Sequence, residues 1–196
     1  MINLSSKNKN QQNDIRSFTL DVFDIVIKSL VVMLILLTFV LRLCTVVGDS
    51  MNLTLEDGEK LIISNLFYTP KEGDIVVFHQ TGDFNEPIVK RVIATGNKYV
   101  KIDYRTATLY VSSDNVFDED DIVDESSYIY LTGNKYKESV DSFQTYVPEG
   151  YVFVMGDNRN NSADSRSSSI GLVDTRTILG RVILRISPLQ KFGFVK

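Results

Sequence analysis

Three short polar segments hold the side chains that could do chemistry. The first is Val47-Gly48-Asp49-Ser50-Met51-Asn52-Leu53-Thr54-Leu55. A serine in such a setting is by itself an ordinary turn residue at the edge of a domain. The second is Pro87-Ile88-Val89-Lys90-Arg91-Val92-Ile93. In a strand alternate residues share a face, so Ile88, Lys90 and Val92 fall on one side and Val89, Arg91 and Ile93 on the other. Both faces are otherwise apolar, which directs at least one basic residue toward packed surroundings. Arginine keeps its proton when buried, whereas desolvation lowers the pKa of lysine. A neutral lysine beside a serine hydroxyl is a workable general base. From this segment alone the plainer reading is an edge strand with both side chains snorkelling to solvent. The third segment is Gly156-Asp157-Asn158-Arg159-Asn160-Asn161-Ser162-Ala163-Asp164-Ser165-Arg166, a polar loop between apolar strands. Asp164 and Arg166 can form a charge-assisted pair. Composition alone fits an exposed flexible loop equally well.

The residue counts narrow the chemistry further. With 43% hydrophobic and 23% charged residues in 196, the chain is globular rather than disordered. A net charge of −4 argues against an electrostatically driven nucleic-acid binder. Cys44 is the single cysteine and His79 the single histidine, which excludes an intramolecular disulfide and a zinc site of several His and Cys ligands. A Ser-His-Asp hydrolase would depend on His79 alone, at the end of an expected strand and without a matching motif. A Ser-x-x-Lys site built on Ser50 fails because residue 53 is leucine. Asn52-Leu53-Thr54 and Asn160-Asn161-Ser162 fit the N-glycosylation pattern, which is too common to carry weight.

These segments need elements to position them. Ser29 to Leu41 is an uncharged apolar run. Alone it is shorter than the ~20 residues that cross a bilayer core. The apolar character extends through Val22, Phe23, Ile25, Val26 and Ile27 on one side and Leu43, Cys44, Val46 and Val47 on the other, and Lys28 and Arg42 can snorkel toward opposite interfaces. Residues 19–43 are therefore expected to form one transmembrane anchor, after a polar, disordered tail at 1–18 and before an extracytoplasmic domain at 44–196. A cleaved secretory signal would need a small-x-small site that is not apparent. A core helix without a polar stripe would be unusual in a domain this size. Lys7, Lys9 and Arg16 precede the anchor, and the stretch after Cys44 offers only Lys60, which favours a cytoplasmic N-terminus. Beyond the anchor, short Val-, Ile-, Tyr- and Phe-rich runs predict strands at Ile75–Phe78, Ile88–Ile93, Tyr99–Ile102, Thr108–Val111, Tyr151–Met155 and Ile178–Ile186. Turn signals separate them, among them Gly96-Asn97, Gly133-Asn134 and Pro148-Glu149-Gly150. The fold class is mainly β and antiparallel, with no βαβ alternation. The acidic stretch Asp114–Glu125 lacks the pattern of a calcium loop and reads as a solvated loop.

Taken in order, the segments resemble those of bacterial type I signal peptidases. Gly48-Asp49-Ser50-Met51 is similar to the Ser-Met box that follows the anchor in that family. Gly73-Asp74-Ile75-Val76-Val77-Phe78 resembles the box preceding the base, and Val89-Lys90-Arg91-Val92-Ile93 the lysine box. Gly156 to Arg166 matches the pattern GDNRxNSxDSR at every fixed position. The resemblance covers about residues 20–196, and the single anchor and compact length are similar to Gram-positive members.

The resemblance implies a β-rich, signal-peptidase/LexA-like catalytic domain that uses a Ser-Lys dyad without metal or cofactor. In it Ser50 is the nucleophile, Lys90 the general base and Ser162 the residue orienting the lysine, and Asp164 and Arg166 form a supporting ion pair. The backbone of Ser50 and Gly48 would supply the oxyanion hole, since Gly48 replaces a serine found in some members. Met51 and Leu53 are candidates for the substrate cleft. The implied partners are the bilayer and preprotein signal peptides with small residues at −1 and −3; a monomer is expected, with no nucleic acid. The sequence departs from the family at Leu53, where proline is usual and would stiffen the backbone, and at Ala94-Thr95-Gly96-Asn97, where Gly-Leu-Pro-Gly-Asp is frequent. Some relatives lost serine or lysine and act without proteolysis, for instance in assembling surface structures such as pili; this chain retains both. A LexA-like autoprotease would share the dyad, but the anchor and the lack of a recognisable DNA-binding domain oppose that reading.

Overall fold

In the computed structural model of the chain, residues 4–80, 86–129 and 141–195 are described. The expected turn at Gly133-Asn134 lies outside them. The chain divides into two units, residues 1–40 and 41–196.

The first unit is a single helix, α1 (Leu4–Val40). It begins inside the stretch expected to be a disordered tail. Once an apolar helix has nucleated, adding flanking residues costs little, and the polar lead carries no proline to stop it. It also ends earlier than expected, because Arg42–Thr45 is a strand. Its described apolar side chains from Phe18 to Leu37 are exposed. Lys28 pairs with Asp24 one turn away at 2.6 Å. Among the described residues no helix is long and apolar enough to cross a membrane. Asp21, Asp24 and Lys28 lie along the described length of α1.

The described strands of the second unit pair antiparallel, with short 3₁₀ turns at Glu119–Asp121, Thr175–Thr177 and Leu189–Lys191. Its larger sheet runs β1 (Arg42–Thr45), β2 (Lys60–Ser64), β10 (Ile178–Ser187), β3 (Ile75–Phe78), β4 (Ile88–Ala94), β8 (Tyr151–Met155) and β9 (Val173–Asp174), with β11 (Gly193–Phe194) on β10. A smaller sheet has the order β6 (Thr108–Ser112), β5 (Lys98–Asp103) and β7 (Ser142–Val147). The six expected strands are present, with ends shifted by a residue or so. Five others were not expected from the sequence. β9 and β11 have only two residues each and gain their order from pairing, not from local pattern.

The strand β4 is interior, paired with β3 and β8, which corrects the edge-strand reading of Lys90 and Arg91. Residues Val89 to Ala94 are all buried. Three apolar clusters cover the sheets. One joins Ile93, Phe153 and Met155 to Val100, Ile102 and Leu109 of the smaller sheet. A second packs Val46, Met51 and Leu55 against Leu61, Ile63, Ile75, Val77 and Val182. The third joins Val76, Phe78 and Val92 to Val152, Val154 and Ile178. Each buried aliphatic side chain contributes ~1.5–3 kcal/mol, enough to hold two basic residues between these layers.

Candidate active site

The turn carrying Ser50 is closed at both ends. Val46 N–H donates to Glu59 O at 2.9 Å and Gly58 N–H returns to Val46 O at 2.9 Å. Gly48 N–H donates to the Asp57 carboxylate at 2.7 Å. Gly48 sits at φ +81°, a left-handed conformation that L side chains rarely adopt. Within the turn, Leu55 N–H donates to Met51 O at 2.8 Å, and Met51 and Leu55 are sunk in the core. Two apolar plugs thus fix the turn from below and leave Ser50 half-buried at its crest.

Opposite it, β4 brings up Lys90. Its Nζ lies 2.6 Å from Ser50 Oγ, within hydrogen-bond distance, and donates to Val89 O at 3.0 Å. Lys90 is 3% exposed. Burial pushes its pKa down to about 8, with Arg166 adding to the fall and the carboxylates of Asp164 and Asp157 opposing it. The consequence is an amine that gives up its proton near pH 8, far below the ordinary lysine value, and lies within hydrogen-bond distance of a hydroxyl.

The polar loop after β8 is tied down rather than flexible. Asp164 is fully buried, accepts Gly156 N–H at 3.0 Å and takes both Arg166 Nε at 2.8 Å and Nη2 at 2.9 Å. Burial raises the Asp164 pKa, but the Arg166 pair and the Gly156 N–H outweigh it and hold the carboxyl below its usual range. Ser165 N–H donates to Val154 O at 3.0 Å, and Val154 N–H donates to Ser165 Oγ at 2.9 Å. Asn158 clasps the serine turn twice, its N–H on Ser50 O and its Nδ2 on Asp49 O, each at 3.0 Å. Gly156 is required here, because a Cβ would stand 2.4 Å from Ser50 O.

Ser162 packs against Gly156. Its hydroxyl is near enough to Asp164 to favour that anion, yet Oγ is buried and makes no hydrogen bond of good geometry. The expected bond from Ser162 to Lys90 is absent among the described contacts, and Lys90 uses Val89 O instead. The Ser50 N–H makes no hydrogen bond among the described residues, whereas the Gly48 N–H is occupied by Asp57.

Ser50 and Lys90 open into a cleft of about 450 Å³, walled by Val46, Met51, Ile88, Val89, Ala163 and Ile170. Met51 touches it but is otherwise core. Leu53 does not line it. It is exposed at φ +84°, a backbone conformation that proline cannot adopt, and borders a separate depression with Ser126–Ile129 and Phe194. His79 is exposed at the end of β3 and lies outside the cleft. Another depression of about 410 Å³, beside Tyr68, Tyr151 and Arg176, includes neither Ser50 nor Lys90.

Sequence reasoning passed over several residues that hold the site. Arg91 grips Asp157 with two bonds, Nε at 2.9 Å and Nη2 at 2.7 Å, both groups buried. Thr54 Oγ1 donates to the same carboxylate at 2.5 Å. Glu125, expected in a solvated loop, is buried and pairs bidentately with Arg159. Its neighbours from Asp118 to Asp121 do form an exposed turn, so the acidic run conceals one structural carboxylate. The available signal was an excess of buried positive charge: Arg91 and Arg159 lie in apolar or closely tied segments and each needs an anion.

The sequence model of the signal peptidase family, peptidase S26, matches residues 19–187. Signal peptidase IB of Staphylococcus aureus is 32% identical over 173 residues, which span 84% of this chain and 87% of that protein. A probable signal peptidase I-1 of Synechocystis is 33% identical over 84% of this chain and 81% of its own length. A crystal structure of a signal peptidase I from Enterococcus faecalis V583 is 27% identical, with a TM-score of 0.43, over 58% of this chain and 97% of that one. The chain belongs to the peptidase S26 family and is a bacterial type I signal peptidase, a serine peptidase that removes signal peptides.

Proposed function

We propose that this peptidase works through a Ser-Lys dyad, with Ser50 as nucleophile and Lys90 as general base, while anchored in the membrane. The observation that supports this most is the 2.6 Å approach of a buried, pKa-depressed Lys90 to Ser50 Oγ. Neutral Lys90 takes the hydroxyl proton as Ser50 Oγ bonds to the scissile carbonyl carbon. The resulting oxyanion is met by the Ser50 N–H; the Gly48 N–H joins only by exchanging its bond to Asp57. Protonated Lys90 then gives its proton to the leaving amine, and the C–N bond breaks to leave an ester on Ser50. Water, deprotonated in turn by Lys90, attacks that ester and releases the cleaved signal peptide. Asp164 and Arg166 hold the loop that supports the serine turn, and Ser162 fills the space beneath it.

The cleft combines aliphatic walls at Val46, Ile88, Val89 and Ile170 with small residues at Gly48 and Ala163 and polar ones at Asp49, Glu86 and Asn161, a lining that supports small side chains at −1 and −3. Anchoring rests on the sequence, where the apolar run continues past Ile35 through Leu36, Leu37, Phe39, Val40 and Leu41. With Lys7, Lys9 and Arg16 leading it, the N-terminus is cytoplasmic and the β domain, residues 44–196, extracytoplasmic. An anchored monomer shares the bilayer with its membrane-embedded substrate, which raises their effective concentration.

The test incubates the full chain in detergent with a preprotein bearing an Ala-x-Ala site. Wild type, Ser50→Ala and Lys90→Met run side by side, and products are read by mass. Cleavage after Ala-x-Ala by wild type alone is the expected result. Cleavage by Lys90→Met at the wild-type rate would refute the dyad.

A further inference from the structure

With Ser50 and Lys90 taken as the reacting pair, as proposed above, we propose that Tyr128 and Glu125 are positioning residues: their turn clamps the two buried arginines that hold the serine turn in register with Lys90. The turn is short and self-supporting. Tyr128 N–H and Ile129 N–H both donate to Glu125 O, at 3.2 and 3.1 Å, and the Tyr128 hydroxyl donates to Glu125 Oε1 at 3.2 Å. It delivers one carboxylate and one aromatic ring into a buried layer of charge.

The Arg91 guanidinium lies 4.1 Å from the Tyr128 ring centroid, and that of Arg159 lies 6.0 Å from it. The ring is thus within cation–π reach of both guanidinium groups, closely of Arg91 and at the outer limit of Arg159. Arg91 directs its edges to Asp157 and to Gly73 O, the latter at 2.8 Å, so the face is the side left for the ring. Arg159 gives Nη1 and Nη2 to Glu125 and Nε to Gly156 O at 3.1 Å. Glu125 and Tyr128 therefore contribute to the surroundings of both arginines.

These arginines grip residues 156–159, and residues 156–159 grip the nucleophile. Asp157 takes Arg91 and Thr54, Asn158 takes Ser50 O, and Gly156 lies against that same carbonyl. A loosened Arg91 or Arg159 lets the loop drift, and Ser50 with it. The flank of the serine turn is where the usual proline is missing. Leu53 and Thr54 line one side of a depression whose other side is Ser126–Ile129. A change in register of a fraction of an ångström lowers kcat, because the proton must pass between two positioned atoms; the cleft walls Val46, Met51, Ile88 and Val89 belong to the same turn and strand, but their non-directional apolar contacts tolerate a shift of that size.

The experiment compares full-length wild type, Tyr128→Phe, Tyr128→Leu, Glu125→Gln and Lys90→Met on one Ala-x-Ala peptide. Both kcat and KM are measured per folded active site, with folding checked by circular dichroism. Tyr128→Leu and Glu125→Gln are expected to lose about tenfold in kcat with KM within about twofold of wild type, the scale of a sub-ångström misplacement. Tyr128→Phe, which keeps the ring, restores most of the loss seen in Tyr128→Leu. Wild-type kcat in both Tyr128→Leu and Glu125→Gln overturns the proposal, as does a loss carried by KM, or an equal loss in Tyr128→Phe and Tyr128→Leu. If Tyr128→Leu does not fold, Glu125→Gln alone decides. Wild-type turnover in Lys90→Met counts against the dyad only, because the kcat ratios at 125 and 128 are read independently of it.

Discussion

Titrating Lys90 is the most direct perturbation of the proposed chemistry. Its pKa is about 8, lowered from 10.5 chiefly by burial. The neutral, proton-accepting fraction is then about one-half at pH 8, roughly one-tenth at pH 7 and roughly one-hundredth at pH 6. kcat/KM on a peptide without titrating groups should rise about tenfold per pH unit from 6 to 7.5 and level off above about 8.5. The assay is initial-rate cleavage across overlapping buffers, with each pH jumped back to 8 to confirm that the loss reverses.

The same shift has a thermodynamic counterpart of fixed sign. Because the folded chain binds the lysine proton less tightly than the unfolded chain, folding stability rises with pH between about 8 and the ordinary lysine value, and below that window burial of Lys90 costs up to about 3 kcal/mol. Lys90→Met removes that cost and forfeits the contacts to Ser50 Oγ and Val89 O, worth about 1 kcal/mol each. The inactive variant should therefore be more stable than wild type at pH 7 in urea, with the advantage vanishing above about pH 10. A flat rate profile from pH 6 to 9, or an acid limb near 10.5, would refute the assignment of Lys90 as base.

Substitutions at three further positions probe the supports. Asp157→Asn leaves the buried Arg91 without its anion and should cost about 3 kcal/mol in urea unfolding. It also removes a charge that raises the Lys90 pKa, so any residual activity should show its acid limb at lower pH. Leu53→Gly relieves a left-handed L-residue and should stabilise by roughly 0.5–1 kcal/mol, whereas Leu53→Pro cannot reach φ +84° and should destabilise; thermal melts distinguish them. Asp57→Ala frees the Gly48 N–H from its side-chain partner, and kcat should fall while KM is kept. An increase in kcat would mean that Asp57 withholds an oxyanion donor in the wild type.

Legibility from sequence divides along physical lines. The long polar box at Gly156–Arg166 could be read because its chemistry is local, and Asp164 and Arg166 do pair two residues apart. The expected strands were those with a run of β-branched residues. β1 was hidden because its first residues fall within the stretch read as the anchor, and β2 because only Leu61–Ile63 of it are apolar; their order comes from pairing with each other and, for β2, with β10. The burial of Lys90 and Arg91 was not decidable from one strand, since an alternating pattern does not tell whether a strand sits at an edge or between neighbours. Glu125 was lost among other carboxylates because its partner, Arg159, is 34 residues further on. Tyr128 carried no local signal, as a ring within reach of two guanidinium groups exists only after folding.

The order of the two basic residues in β4 follows from the different physics of its two faces. Position 90 faces Ser50, where the proposed base must be able to lose its proton and keep a hydrogen bond; lysine can do so, whereas guanidinium remains protonated. Position 91 faces Asp157, where a charge must be permanent, forked and flat enough to stack on Tyr128; only arginine supplies all three. The two needs support each other. The Arg91–Asp157 pair satisfies a permanent buried charge and fixes the strand, while the depressed pKa of Lys90, about 8, lets its charge be given up as pH rises. Adjacent residues on opposite faces of one interior strand thus let the domain keep one permanent and one removable positive charge within a single buried layer.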